Sequence, residues 1–327
     1  MRVLVVTNMW PSAERPHWGA FVRSQVDSLA AAGVETVLHE IAGWRSTREY
    51  FTSLLALPGI ARRAGADLVH AHYGLSGAAA VRVAPPLVVS FCGDDLLGRP
   101  DAAGRLSGKS RMLVNLSKYA AARADGIIVK SEEMRRVLPA RLGAEVIPNG
   151  VDLERFAPRA RADARAELGW RPDGEVLLFA ADPGEPRKNF PLAHEVESRL
   201  RASGRDARVE VVYGVPQPRI AAAMCAADVL LLPSFHEGSP NTVKEAMACD
   251  LPVVAAPVGD CEERLHGCAP SAVAAREPAA FTAAVAAVLA AGRRSNGREV
   301  VSALSLPAVA RRVIAVYERA LAKRRAA

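Results

Sequence analysis

Cysteine pairs, aromatic residues and long apolar runs are all scarce in this chain, and each scarcity removes a class of protein. The five cysteines (Cys92, Cys225, Cys249, Cys261 and Cys268) include no C-x-x-C pair and no accompanying histidine cluster. Structural zinc and a disulfide framework are thus unsupported, and reduced thiols in a cytosolic protein are expected. Aromatic residues make up 5% of the chain. With charge spread along the sequence, this argues against a basic module that binds nucleic acid through clustered Lys/Arg and exposed aromatics. No apolar run approaches the ~20 residues that span a bilayer. The opening R-V-L-V-V-T is strand-like rather than a charged leader before a long apolar segment, so no secretory leader is expected. There is also no G-x-G-x-x-G, hence no dinucleotide fingerprint, and no internal repeat or low-complexity linker.

What the chain does have is length and alternation. Its 327 residues, 50% of them apolar, suffice for two domains with cores of their own. The net charge of +7 favours an anionic partner without choosing among phosphate, membrane surface and nucleic acid. Short apolar, β-branched runs at Val3–Thr7, Thr36–Ile41, Leu68–His70, Leu87–Phe91 and Gly126–Lys130 read as strands. The stretches Ala20–Ala32, Arg48–Ala64 and Ser110–Arg123 between them have helical spacing. A second series follows, with strands expected at Val176–Ala180, Arg208–Val212, Val229–Leu232 and Pro252–Ala255. Its helices are expected at Phe190–Ala202, Ile220–Ala226, Pro240–Ala248 and Pro278–Ala291, and Leu306–Lys323 closes the chain as an amphipathic helix. Near-continuous apolar strands alternating with helices indicate an α/β protein of two doubly wound parallel sheets. The expected domains are 1–157, 158–304 and a returning helix over 305–327. Ligands of such sheets bind at the carboxyl ends of strands.

The richest stretch runs from His236 to Ala255, H-E-G-S-P-N-T-V-K-E-A-M-A-C-D-L-P-V-V-A. It reads as the end of a strand at Glu237, a short loop, a helix opened by Pro240, and another strand. Glu245 lies eight residues after Glu237, so two carboxylates can flank one ligand. The N–H groups at the helix start can hold an anion between them. Carboxylates for hydroxyls around a phosphate-sized hole describe a nucleotide-sugar site.

This string, the preceding A-A-D-V-L-L-L-P-S, the I-P-N-G-V-D-x-x-x-F at Ile147–Phe156 and the closing helix resemble family 4 glycosyltransferases. Those are retaining enzymes of the two-domain GT-B fold, in which two Rossmann-like domains face a cleft. The likeness runs through nearly the whole chain in the right order, with bacterial cell-wall and surface-polysaccharide members the nearest in character. The resemblance implies that Glu237 binds donor-sugar hydroxyls and Glu245 the ribose hydroxyls. Gly238, Ser239, Pro240, Asn241, Thr242 and Val243 would present the loop and helix start to the diphosphate. Lys188, in E-P-R-K-N, would neutralise that leaving group, which makes Glu237 and Lys188 the catalytic pair. The family arginine six residues before this lysine is Asp182 here, and Arg187 is an alternative second charge, with a solvated surface role equally open. Gly19 matches a family glycine that approaches the diphosphate or the reacting sugar. In S-F-C-G-D-D-L, Cys92 stands where many members carry a histidine. His72, Cys92, Asp94 and Asp95 are therefore the acceptor- or sugar-side candidates, while His70 reads as a buried structural histidine. The Asp94-Asp95 pair lacks further ligands, so neither metal nor other cofactor is expected; the nucleotide-sugar is a co-substrate.

The implied reaction is retaining transfer from a nucleotide-diphosphate sugar, UDP- or GDP-linked, to a glycan or lipid-linked acceptor on the cytoplasmic side. Two stretches, Tyr50–Arg63 and Lys109–Arg123, mix apolar and basic residues and suit either core helices or an anionic membrane surface. The rival readings are a nucleotide-sugar 2-epimerase of similar fold and, in another class, a basic membrane- or nucleic-acid-binding module.

Overall fold

A computed structural model describes residues 1–99 and 105–326. The chain forms two compact units. Unit 1 comprises Met1–Ser12, Trp18–Gly150 and Leu306–Ala327, and unit 2 comprises Ala13–His17 and Val151–Ser305.

Unit 1 is built on β1 (Arg2–Thr7), β2 (Glu35–Glu40), β3 (Leu68–His72), β4 (Leu87–Ser90), β5 (Gly126–Val129) and β6 (Glu145–Val146). Their spatial order is β2-β1-β3-β4-β5-β6, and every pairing is parallel. The central strands are apolar on both faces because helices cover both. Val3 through Val6 have no exposed surface, and all five residues of β3 are buried. That burial explains why β3 runs on to His72, beyond the Leu68–His70 read from the apolar run alone.

The closing helix, Leu306–Ala326, lies on this sheet and buries Val309, Val313, Val316 and Tyr317. A Cβ added at Gly126 would sit 2.9 Å from Val316 Cγ1, so the strand start is bare where the helix crosses it.

Unit 2 repeats the winding with β7 (Glu175–Phe179), β8 (Ala207–Val211), β9 (Val229–Leu232), β10 (Val253–Ala255) and β11 (Ala272–Val273). The order is β11-β10-β9-β7-β8, again all parallel. Its main segment begins at Val151 rather than at 158. The reason is local bonding: Val151 N donates to Leu304 O at 2.8 Å, and the Arg298 guanidinium holds the carbonyls of Leu153 and Phe156. The two-residue β11 was not legible in the sequence, since so short a strand carries no periodicity.

In each unit the first strand lies between the second and third, so the chain leaves β1 and β3, or β7 and β9, in opposite directions. Such a reversal opens a crevice at the carboxyl ends of the two strands, where ligands of open α/β sheets bind.

Candidate functional site

In unit 2 the exits of β7 and β9 are laced together. Pro186–Lys188 forms a single 3-10 turn, and Asn189, at φ 54°, begins the helix Phe190–Ala202. The Phe235 N–H donates to Arg187 O at 2.8 Å, and Asn189 Nδ2 donates to Pro233 O at 3.2 Å. This brings the charges of the two loops together. Lys188 Nζ lies 2.7 Å from Glu237 Oε1, and Arg187 Nη1 lies 3.0 Å from Glu237 Oε2 while also donating to His236 O. Burial opposes ionisation of Glu237, but the Lys188 and Arg187 charges outweigh it and hold the carboxyl below its ordinary value. Glu237 is therefore an anion at neutral pH.

Glu237 does not end the strand. β9 stops at Leu232, and Glu237 stands in the loop that follows, because Pro233 cannot donate to a ladder. Pro240 is the N-cap rather than the first helical residue, and the helix is Asn241–Ala248. The first turn, Asn241-Thr242-Val243, directs backbone N–H groups toward the loop, the usual setting for an anion. Val243 is fully buried, so only its backbone can serve. Glu245 is partly buried one turn in. Loss of hydration raises its pKa to about 7, against the opposing charges of Lys244 and Arg155.

Three participants escaped the sequence reading. Ser239 Oγ donates to Asp260 Oδ2 at 2.8 Å, and Lys244 Nζ donates to Ser239 Oγ at 3.0 Å. Gly259, at φ +56°, lets the exit of β10 approach so closely that a Cβ would lie 2.7 Å from Gly238 O and 2.9 Å from Glu237 O. The V-G-D at Val258–Asp260, just past an expected strand, was the available signal. Asp182 accepts the Gly184 N–H at 2.9 Å and so shapes its own loop where the family has an arginine.

The remaining candidates belong to unit 1. Gly19 has φ +73° and begins the helix Ala20–Ala31; a Cβ there would lie 2.3 Å from Met9 O, so packing within unit 1 already demands glycine. The acidic pair diverges. Asp94 pairs with Arg99, whereas Asp95 has no exposed surface and accepts N–H groups from Gly74, Cys92 and Gly93 at 2.8, 3.0 and 2.8 Å. Asp95 is thus a clamp on the exits of β3 and β4 rather than a group facing a sugar, because its oxygens are occupied by backbone donors. Burial and Asp94 raise its pKa to about 6, against the opposing pull of those N–H groups. Cys92 is partly exposed, and burial raises the pKa of its thiol well beyond the physiological range, so it is a neutral filler.

His70 is fully buried, with Nδ1 2.6 Å from the Tyr317 hydroxyl and Nε2 2.8 Å from Ser90 Oγ, a structural role. His72, the acceptor- or sugar-side candidate at the end of β3, is 1% exposed, because β3 lies inside the sheet with both faces covered. Among the described residues no group of three His, Cys, Asp or Glu is placed to hold a metal ion.

Comparison with known proteins matches these features to a family. Residues 1–155 match the family described as Glycosyltransferase Family 4, and residues 175–291 match Glycosyl transferases group 1. A D-inositol 3-phosphate glycosyltransferase 2 of Catenulispora acidiphila is 30% identical over 320 residues, covering 80% of this chain and 72% of that protein. A D-inositol 3-phosphate glycosyltransferase of Geodermatophilus obscurus is 31% identical over 276 residues, covering 68% of this chain but 59% of that protein's length. Among solved structures, a sucrose-phosphate synthase from Thermosynechococcus elongatus superposes with a TM-score of 0.78 at 21% identity, covering 98% of this chain and 99% of the other. The catalytic domain of starch synthase IV from Arabidopsis thaliana, bound to ADP and acarbose, gives 0.71 at 12% identity, covering 98% and 99%. These likenesses show the fold. The chain belongs to glycosyltransferase family 4 and has the GT-B architecture of two parallel-sheet α/β units.

Proposed function

We propose that this chain is a retaining glycosyltransferase that moves a sugar from a nucleotide-diphosphate donor to an acceptor hydroxyl, with the donor held by unit 2. The observation that carries this reading is the Lys188–Glu237–Arg187 cluster across the exits of β7 and β9, where the winding reverses. Glu237, kept ionised, accepts hydrogen bonds from sugar hydroxyls. Lys188 and Arg187 supply positive charge beside the leaving diphosphate, a stabilisation that grows as the glycosidic bond breaks. The first turn of Asn241–Ala248 receives phosphate oxygens, and Glu245 takes the ribose hydroxyls. The chemistry asks positioning and charge of the protein, with no metal or other cofactor. Retention follows from front-face displacement, in which the departing phosphate takes the acceptor's proton.

The donor is a UDP- or GDP-sugar. Solved relatives of the same fold have been crystallised with UDP or ADP, among them the Anabaena protein HepE. The acceptor is a glycan or lipid-linked hydroxyl, met on the cytoplasmic side at an anionic membrane surface. Phe51 and Leu55 on the helix Arg48–Arg63, and Met112 and Tyr119 on Gly108–Arg123, are exposed beside Arg48, Arg111 and Lys118. An apolar stripe flanked by cations suits such a surface. No helix of the described residues is long and apolar enough to cross a membrane.

Thermal shift against UDP-, GDP-, ADP- and dTDP-sugars tests the donor. One of these should stabilise the wild type and fail to stabilise Glu245→Ala, whereas equal shifts in both would reject the site. Flotation with anionic liposomes tests the surface, and absence of binding at low salt would reject it.

A further inference from the structure

Within unit 2 the exits of β9 and β10 meet at Ser239. The loop after β9 carries Glu237 and Ser239, the exit of β10 supplies Asp260, and the helix Asn241–Ala248 supplies Lys244. Ser239 Oγ is engaged on both sides: it donates to Asp260 Oδ2 at 2.8 Å and accepts from Lys244 Nζ at 3.0 Å. A hydroxyl has one proton to give, so this side chain cannot also donate to a phosphate oxygen. What Ser239 has left to donate is its backbone N–H.

Both partners of Ser239 lie below the surface, Asp260 at 4% exposure and Lys244 at 1%. Asp260 Oδ2 also lies 3.3 Å from Arg264 Nε, while Oδ1 is buried with no hydrogen-bond partner among the described residues. Burial lifts the Asp260 carboxyl above its ordinary value, and the Lys244 charge, the Ser239 hydroxyl and Arg264 oppose the rise. Taking a carboxylate out of water costs stability unless its partners compensate, and here one oxygen goes uncompensated.

What the arrangement fixes is the loop. Gly259, one residue before Asp260, already brings the backbone of the β10 exit against the carbonyls of Glu237 and Gly238. Asp260 adds a side-chain contact to the same loop, and Lys244 ties that contact to the helix whose first N–H groups face the loop. From the β7 exit, Lys188 and Arg187 hold Glu237. The loop is thus pinned at Glu237 from one strand exit and at Ser239 from the other.

We propose that Asp260 is a positioning residue of the donor site, which acts through Ser239 to hold residues 237–240 against the start of the helix Asn241–Ala248. Asp260 touches no part of the donor itself. It keeps the backbone N–H groups of the loop and helix start in the one arrangement that receives the diphosphate, so that no reordering is needed when the ligand arrives. This rests on the transferase reading, and it makes the diphosphate, not the nucleoside, the part of the donor that Asp260 governs.

The test is calorimetric titration of the full chain with UDP, GDP, ADP and dTDP. Wild type is compared with Asp260→Ala, Asp260→Asn, Ser239→Ala and the Asp260→Ala/Ser239→Ala double variant. The nucleoside matching the diphosphate that binds is titrated by ligand-observed NMR, which reads weak affinities. Asp260→Ala and Ser239→Ala should each weaken the diphosphate at least tenfold and leave the nucleoside within about twofold. Asp260→Asn, whose amide oxygen still accepts the Ser239 proton, should recover most of the loss. The double variant should bind no more weakly than the weaker single one, because both substitutions break the same chain of hydrogen bonds. Melting curves identify a variant that fails to fold, and Ser239→Ala with Asp260→Asn carry the comparison if Asp260→Ala does. Equal weakening of diphosphate and nucleoside overturns the proposal, since a merely structural role would give that. Undiminished diphosphate binding in the alanine variants, additive losses in the double variant, or Asp260→Asn as weak as Asp260→Ala also overturn it. Wild type that binds none of the four diphosphates overturns the transferase reading instead.

Discussion

The two units repeat one winding and use its strand exits in opposite ways. In unit 2 the charges at the reversal of direction are paired and reachable: Lys188 and Arg187 hold Glu237, with side chains 20%, 35% and 10% exposed. In unit 1 the end of β3, at the corresponding reversal, carries His72, and Lys130 follows β5, two strands further along the sheet; both are buried and short of partners. The backbone supplies the crevice in both cases, and side-chain chemistry decides what enters it. A paired, ionised cluster suits a ligand that arrives with both hydroxyls and a diphosphate.

Substitutions that act on one unit and spare the other sharpen this contrast. The largest effect is expected from Lys188→Ala, which should lower kcat by about 10²–10³-fold, the range for losing one preorganised charge stabiliser. The donor KM should change much less, as steady-state kinetics would show. Glu245→Gln should act on binding. With the Glu245 pKa near 7, wild-type donor affinity should rise with pH through 7 as the carboxylate ionises, and the variant should lose that dependence in calorimetry between pH 5.5 and 8.5.

The same group gives a stability prediction of opposite sense. Its folded pKa lies above the unfolded carboxyl value, so the folded state holds the proton more tightly. Stability from this group declines as pH climbs from about 4.5 to 7. Glu245→Gln should therefore melt a few degrees above wild type at pH 8, roughly the shift of a ~1 kcal/mol change in a protein of this size. The gap should close toward pH 4.5.

Smaller effects come from glycine. Gly259→Ala meets both a left-handed φ and the carbonyls of Glu237 and Gly238. It should cost about 1–3 kcal/mol of stability and disturb turnover through the displaced loop. Gly33→Ala has φ +85° with nothing within 4 Å, so it should cost about 1 kcal/mol and leave activity intact. Equal activity losses in the two would remove Gly259 from the site.

Legibility follows how a site is encoded. Most of the unit 2 site is consecutive in sequence, so the string from His236 to Glu245 announced the loop, the helix start and both carboxylates. Its partners Asp260 and Gly259 come from the next strand exit and meet it through the sheet, so spacing could not reveal them. Unit 1 was harder. Lys130 stood at the end of an expected strand and looked like any surface lysine, because burial belongs to the folded sheet and not to V-K-S. His70 and His72 are two apart on one strand, yet one is satisfied by Tyr317 and Ser90 and the other is not. A hydroxyl 247 residues away settles that difference. The acidic pair misled for the same reason: adjacent in sequence, Asp94 and Asp95 turn to Arg99 and to backbone N–H groups respectively.

The central claim is that unit 2 holds the donor. Calorimetric titration of the stabilising nucleotide-sugar against wild type, Glu245→Ala and Lys130→Met tests it most directly. The account predicts donor affinity at least tenfold weaker in Glu245→Ala and unchanged in Lys130→Met. Weakened donor binding in Lys130→Met with none in Glu245→Ala would contradict it.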